Sequence, residues 1–347
     1  MSNDTIEAAS AEPLRHALVN QLMEHGLIRT GRVEEAMRTV PRHMFVPQAP
    51  LEKAYANATV DIKLDAGGAS ISCASQPGIV AMMLEQLQVE PGHKILELGA
   101  GTGYNAGLLA YLADPTGHVT TIDVDDDLVE GARTSLAAAG IDNVTVILGD
   151  GALGHADNAP YDRVIATVGA HAVPHAWLDQ LAPGGRLLTP LRLRGTVARS
   201  IAFEQQDGAW RSLSSEMNTF MPLRQGIADD PRRMVPVTSD GTVTLVTPYP
   251  SSTACSDQAT LTYLTRRKAT HAAPDGASLY EFGVIGHGPG RDALAEQVAE
   301  SVRTWDHEYR GREVTFEIQP LDSPPPAQGP GRFTFSNALN RILIEWR

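Results

Sequence analysis

Lys94-Ile-Leu-Glu-Leu-Gly-Ala-Gly-Thr-Gly-Tyr-Asn105 is the stretch that decides how this chain is read. An apolar run, Ile95 to Leu98, carries one acid, Glu97, and opens onto Gly99, Gly101 and Gly103. A helical pattern follows at once, from Asn105 to Leu112. Glycines at such a junction let the backbone turn sharply and let a ligand approach with no Cβ in the way. About twenty residues on, His118 to Ile122 reads as a second strand, ending in Asp123 with Val124 beside it. An acid at that tip can accept from both hydroxyls of a ribose. The three pieces together spell a nucleoside-binding βαβ unit.

The glycine order is G-x-G-x-G, with Glu97 two residues ahead of the first glycine. Dinucleotide folds more often read G-x-G-x-x-G. Glu97 is placed to face a cationic amino group rather than a pyrophosphate, so the pattern fits S-adenosylmethionine (SAM) better than NAD. Tyr104 and Asn105 begin the following helix, where Tyr104 can cover the methionine tail. Further strand ends agree. Asn143 to Leu148 leads into Gly149-Asp150-Gly151, where Asp150 can accept from an adenine amino group and Gly151 clears room for the ring. Tyr161 to Thr167 ends in Thr167 and Gly169, and Pro183-Gly184-Gly185 turns into the strand Arg186 to Pro190. Ligands of open α/β sheets gather at the carboxyl ends of strands. Gly and Asp also punctuate ordinary turns, but several such ends in register point to one site. The expected cofactor contacts are Glu97, Gly99, Gly101, Gly103, Tyr104, Asn105, Asp123, Val124, Asp150, Gly151 and Thr167, with no metal.

At 347 residues the chain exceeds the usual size of one core, so a large domain and a smaller one are expected. A net charge of -13 argues against nucleic acid, because nothing neutralises phosphates. Arginines and lysines do cluster locally, at Arg192/Arg194/Arg199, Arg232/Arg233 and Arg266/Arg267/Lys268. No apolar run approaches the ~20 residues of a membrane span. Two distant cysteines, Cys73 and Cys255, and a polar start unlike a signal peptide suit the cytoplasm. Residues 1–13 read as a tail, and helices are expected over Leu14–His25, Gly31–Thr39 and Gln76–Leu87. Leu51 to Gly68 carries few regular signals. The doubly wound core spans about 94–220, and composition shifts near Gly226 with a linker at Asp229–Arg233. This divides the chain into 1–227, helices plus a Rossmann-like α/β core, and 228–347, a small α+β domain expected to recognise the substrate. Its expected strands are Val243–Thr247, Val314–Ile318 and Ile342–Trp346, with one helix over Asp292–Tyr309. Nothing in the pattern speaks to oligomeric state.

Seven segments then occur in order over most of the first domain. They are Val40-Pro-Arg-His-Met-Phe-Val-Pro47, Ala54-Tyr55, Ser75-Gln-Pro77, Leu96-Glu-Leu-Gly-Ala-Gly-Thr-Gly-Tyr104, Gly149-Asp-Gly-Ala-Leu-Gly154, Ala159-Pro-Tyr-Asp-Arg163 and Leu181-Ala-Pro-Gly-Gly-Arg-Leu187. In these, the chain from Leu14 to Arg224 resembles the protein-L-isoaspartate O-methyltransferases. The resemblance implies a class I SAM-dependent methyltransferase fold, SAM as cofactor with S-adenosylhomocysteine (SAH) as product, and methylation of carboxylates at aspartate-derived sites in peptides or proteins. One segment departs from the family. Repair enzymes usually carry Gly-Gln-Thr-Ile-Ser before the Gln/Ala-Pro, whereas this chain reads Lys63-Leu-Asp-Ala-Gly-Gly-Ala-Ser-Ile-Ser-Cys-Ala-Ser75-Gln-Pro77. That longer segment and the extra C-terminal residues resemble the variant found with lanthipeptides and other ribosomally made, modified peptides. The variant esterifies an ordinary aspartate, and the ester collapses through a succinimide to isoaspartate. This is the main expectation; repair of L-isoaspartyl proteins is the alternative. A SAM-binding docking module without catalysis, and an NAD oxidoreductase, rank below both.

Methyl transfer from a sulfonium to a carboxylate is a direct displacement. A carboxylate with a pKa near ~4 is already ionised at neutral pH, so no base, metal or covalent nucleophile is needed. The task is alignment and desolvation. Hydroxyl donors suit it, and Ser75, then Ser72, are the candidates; Ser75 is also well placed to cap the helix that follows. His171 and His175 are weaker candidates for the site, and Arg42 is expected to pair with a carboxylate of the domain or of a peptide.

Overall fold

A computed structural model describes residues 3–68, 70–192, 198–218, 220, 233–236, 243–247, 260–267, 280–287, 305–309, 312–327 and 329–347. Helix α1 (Asn3–Glu24) begins eleven residues before the helix read from periodicity, so the expected tail is corrected to helix from Asn3 onward. Glu7, Ala8, Ala9, Ala11 and Glu12 are strong helix formers, and their run carries the helix through Pro13 despite its missing N–H. Ala11, Leu18, Val19 and Leu22 form its buried stripe. α2 (Gly31–Thr39) is capped by Thr30, whose hydroxyl accepts from Val33 N. A second acceptor serves the same helix start, since the buried Glu85 accepts from the N–H groups of Arg29 (2.7 Å) and Thr30 (2.8 Å).

The stretch with few sequence signals holds a helical turn, α3 (Leu51–Ala54), and a hairpin of β1 (Val60–Leu64) and β2 (Ser70–Ala74). α4 (Pro77–Leu87) follows, with proline at its first position, where no N–H is needed. The expected strands and the helix after the glycine loop then appear among β3 (Lys94–Leu98), α5 (Tyr104–Ala113), β4 (His118–Asp123), α6 (Asp126–Ala138), β5 (Val144–Leu148), β6 (Tyr161–Ala166), α7 (His175–Asp179) and β7 (Leu181–Arg192); α6 and α7 carry no reading from the sequence, and β7 takes in the expected turn at Pro183–Gly185. β8 (Ala198–Gln206) and β9 (Ala209–Asn218) complete the core by antiparallel pairing.

β3 lies between β4 and β6 and is parallel to both; β5 and β7 flank them in parallel. The chain therefore winds outward in one direction from β3 through β4 to β5, then returns to β3's other side with β6. That reversal opens a crevice at the carboxyl ends of β3, β4 and β6. Two hydrophobic clusters cover the sheet, one centred on α4, α5 and the leading helices, the other on Trp177, Tyr161 and Phe203.

Residues beyond 228 divide between two sheets. β10 (Arg233–Pro236), β11 (Val243–Thr247), β12 (Thr260–Arg267) and β13 (Tyr280–His287) form a separate antiparallel sheet. β14 (Val314–Pro320), β15 (Arg332–Ser336) and β16 (Asn340–Trp346) instead extend the core sheet to ten strands, β14 pairing with β9 at Ile318–Trp210 and Glu317–Arg211. Phe316, Ile318 and Ile342 are buried in the same cluster as Leu96, Leu98 and Trp177. The expected linker Asp229–Arg233 lies outside the described residues except for Arg233, which opens β10, and the expected helix Asp292–Tyr309 does so except for Trp305–Tyr309, which forms a π-helical turn; Arg194, Lys268 and Cys255 also lie outside them.

Candidate functional site

The crevice holds a cavity of about 340 Å3. The glycine loop forms its floor. Gly99 has φ +106°, and a Cβ there would stand 2.7 Å from Thr167 Oγ1 and 2.9 Å from Val168 Cγ1, so only glycine fits between β3 and the end of β6. Thr167 clamps the same point, its hydroxyl donating to Gly99 O at 2.7 Å. Gly103 opens α5 at φ +84°, where a Cβ would press on Ala132 of α6 at 3.2 Å. Asp123, at the tip of β4 and 8% exposed, accepts from Gly101 N at 2.9 Å through Oδ2. This bond ties the second strand's acid to the loop it faces.

Of the expected cofactor residues, Gly99, Gly101, Tyr104, Asn105, Asp123, Val124, Gly151 and Thr167 line the cavity. Three do not. Glu97 is fully buried beneath it, Oε1 accepting from Asn105 Nδ2 at 2.7 Å and Oε2 from Thr121 Oγ1 at 2.6 Å. It stands behind Asn105 rather than facing an ammonium group. Burial pushes its carboxyl up to about 7, with Asp123 adding to the push and the two hydrogen bonds opposing it. Gly103 serves the helix junction. Asp150 caps a short turn, its Oδ1 accepting from Ala152 N at 2.9 Å.

The opposite wall is the β1–β2 hairpin and the residues after it: Asp61, Ile71, Ser72, Cys73 and Ser75. Both candidate serines therefore face the glycine loop across one cavity. Ser75 is not the helix cap, since Gln76 occupies the N-cap position of α4 and makes no side-chain cap bond. The cap alternative for Ser75 thus falls away, and its carbonyl is held instead by Arg42 Nη2 at 2.8 Å. Arg42 is 1% exposed; its Nε donates to Ala54 O at 3.0 Å and its guanidinium carbon lies 4.9 Å from the Tyr104 ring centre. The expected pairing of Arg42 with a domain carboxylate is replaced by these backbone and ring contacts. Burial pushes the Tyr104 hydroxyl up to about 12, so the ring stays neutral over the guanidinium. His171 and His175 do not line the cavity. Asp61, Ile71 and Phe220 do, and none was singled out from the sequence. The alternation Val60, Ile62, Leu64 before Asp65-Ala-Gly-Gly68 was the available signal for the hairpin that carries Asp61.

A glycine-floored cavity at the switch point of this sheet, with an acid at the tip of β4, is the arrangement of a class I SAM-dependent methyltransferase. The residues present fit the cofactor: a glycine floor with positive φ at Gly99 and Gly101, an acid at the second strand, and Gly151 at the third. The family model for Protein-L-isoaspartate(D-aspartate) O-methyltransferase (PCMT) matches residues 13–228. The chain belongs to that family, and its methyl donor is SAM. The protein-L-isoaspartate O-methyltransferase of Methanopyrus kandleri is 42% identical over 211 residues, 60% of this chain and 90% of the relative. That of Hyperthermus butylicus is 39% identical over 217 residues, 60% of this chain and 88% of the relative. A solved protein-L-isoaspartate O-methyltransferase superposes with a TM-score of 0.59 at 21% identity, covering 87% of this chain and 96% of its own. A second, from Plasmodium falciparum and bound to SAH, gives 0.52 at 19% identity, covering 61% and 99%.

Proposed function

We propose that this chain methylates the free carboxylate of L-isoaspartyl residues in proteins and peptides, the repair reaction. Support comes from the identity of about two residues in five to relatives bearing that name, over nine-tenths of the M. kandleri relative's length, and from the family match over residues 13–228, which include both walls of the cavity. The lanthipeptide expectation gains nothing from these relatives. One of its two grounds also weakens: a solved protein-L-isoaspartate O-methyltransferase spans 87% of this chain, so residues beyond the core do not separate the two readings. Its remaining ground is the hairpin turn Asp65–Gly68 that lengthens the segment before Ser75.

When bound, SAM supplies a methyl group on a sulfonium. The protein's part is placement. Gly99, Gly101, Asp123, Val124 and Gly151 would hold the nucleoside end, with Asn105 oriented from below by Glu97. Ser75 and Ser72 would align the substrate carboxylate by donating hydrogen bonds to it. The two walls together exclude water, which strengthens those bonds. No proton has to move, because the nucleophile arrives ionised.

Two synthetic peptides differing only in L-aspartate or L-isoaspartate at one position, incubated with SAM, test the reading. Ester on the isoaspartyl peptide alone is expected. Ester or loss of water on the aspartyl peptide, with the isoaspartyl peptide untouched, would overturn it in favour of the modified-peptide reaction.

A further inference from the structure

Arg42 is a buried cation that lines the cavity. Nε and Nη2 are used on the backbone carbonyls of Ala54, Ala74 and Ser75, and Nη1 is buried without a hydrogen-bond partner. The titratable groups around the guanidinium are Tyr104, Tyr55 and Cys73; none is a carboxylate. A second arginine, Arg15 of α1, acts on the same two tyrosines and adds to the positive field. Leaving a buried charge without a counter-ion is costly, and part of that cost is met here by three carbonyls and the Tyr104 face. A ligand anion reaching Nη1 would complete the set with a charge-assisted hydrogen bond.

We infer that Arg42, through its unpartnered Nη1, is the carboxylate-binding group of this cavity. Its other donors fix its place: Nη2 bonded to the Ser75 carbonyl sets the guanidinium on the hairpin wall, while its stacking on Tyr104 sets it at the start of α5. It stands where the two walls meet. Two ligands bring a carboxylate there, the substrate residue and the methionine end of SAM. The substrate source rests on the function proposed above; the cofactor source does not.

Isothermal titration on the full chain separates them. SAH is compared with its carboxamide analogue, and an isoaspartyl peptide, in the presence of SAH, with the peptide carrying the amide in place of the carboxylate. Wild type, Arg42→Gln and Arg42→Lys are measured, with circular dichroism to verify folding. In the wild type at least one acid should outbind its amide by about tenfold. In Arg42→Gln that preference should fall below about threefold while the amide's own affinity holds, and Arg42→Lys should keep part of it. The pair that responds names the source. Wild-type preferences below about threefold in both pairs, or a preference surviving in folded Arg42→Gln, would overturn the inference. If neither variant folds, the wild-type preferences decide alone by the same threshold. Should the wild type fail to methylate the isoaspartyl peptide, the repair reading falls; the SAH pair still reads Arg42, and the peptide pair is repeated with aspartate and asparagine.

Discussion

Glu97 and Asp123 share one small volume of protein and are used in opposite ways. Among the described residues no cation lies beside Glu97, and its folded-state carboxyl, raised from 4.5 to about 7, holds its proton more tightly than in the unfolded chain. The stability this contributes is present at low pH and is lost as pH rises from 4.5 through about 7, a fall of roughly 3 kcal/mol for a fully buried group. Glutamine mimics the neutral acid, donating to Thr121 and accepting from Asn105. The ligand-free wild type is therefore expected to melt lower at about pH 8 than at about pH 5, and Glu97→Gln to show a flatter profile; parallel melting profiles would refute it. Asp123 instead turns its oxygens to the N–H groups of Gly101 and Asp125 and to the cavity. Asp123→Ala should weaken SAH binding by about 1–3 kcal/mol in calorimetry, since loop and ligand both lose an acceptor. Ser75→Ala should lower kcat more than it changes SAH affinity, because an aligning donor acts on the transition state. Equal turnover would pass the role to Ser72 or to backbone amides.

Among the elements that the sequence reading lost, the β1–β2 hairpin is the one the site most needs. The βαβ unit was legible because Gly99, Gly103 and Asp123 have few alternatives at their positions: a Cβ at Gly99 collides with Thr167, and one at Gly103 crowds Ala132. The hairpin was not, because its strands are five residues each and its register shifts at Asp61/Lys63 and Lys63/Leu64, which blurs the alternation. Glu97 was placed too near the ligand because spacing along a strand cannot tell a residue facing a cavity from one facing the sheet below it. Lys63 fastens the hairpin across the cavity, its Nζ lying 2.7 Å from Asp127 and 3.2 Å from Asp125 at the start of α6. Such a partly exposed pair is worth about 1 kcal/mol or less to the fold. Lys63→Ala should therefore leave the melting temperature nearly unchanged and yet speed SAH release in stopped-flow, with raised salt doing the same to the wild type. An unaltered off-rate would show the hairpin is held by other contacts.

For the whole molecule, the last three strands matter in a way composition did not reveal. A shift near Gly226 reads as a domain boundary, but β14, β15 and β16 belong to the core sheet and bury Phe316, Ile318 and Ile342 against it. Asn340, 1% exposed, fixes them further by accepting from Val173 N at 2.8 Å in the loop after β6. Asn340→Ala should cost about 1–3 kcal/mol in denaturant unfolding, because it leaves a buried N–H without an acceptor; a change under about 0.5 kcal/mol would show that Val173 finds another partner. This arrangement also sets an order of events during synthesis. A ribosome makes β9 some hundred residues before β14. Until β14 emerges, the growing chain carries an unpaired strand edge and an uncovered apolar face, both open to neighbouring nascent chains. The catalytic half is thus finished in sequence long before it is finished in shape, and its solubility in that interval depends on whatever shields the β9 edge.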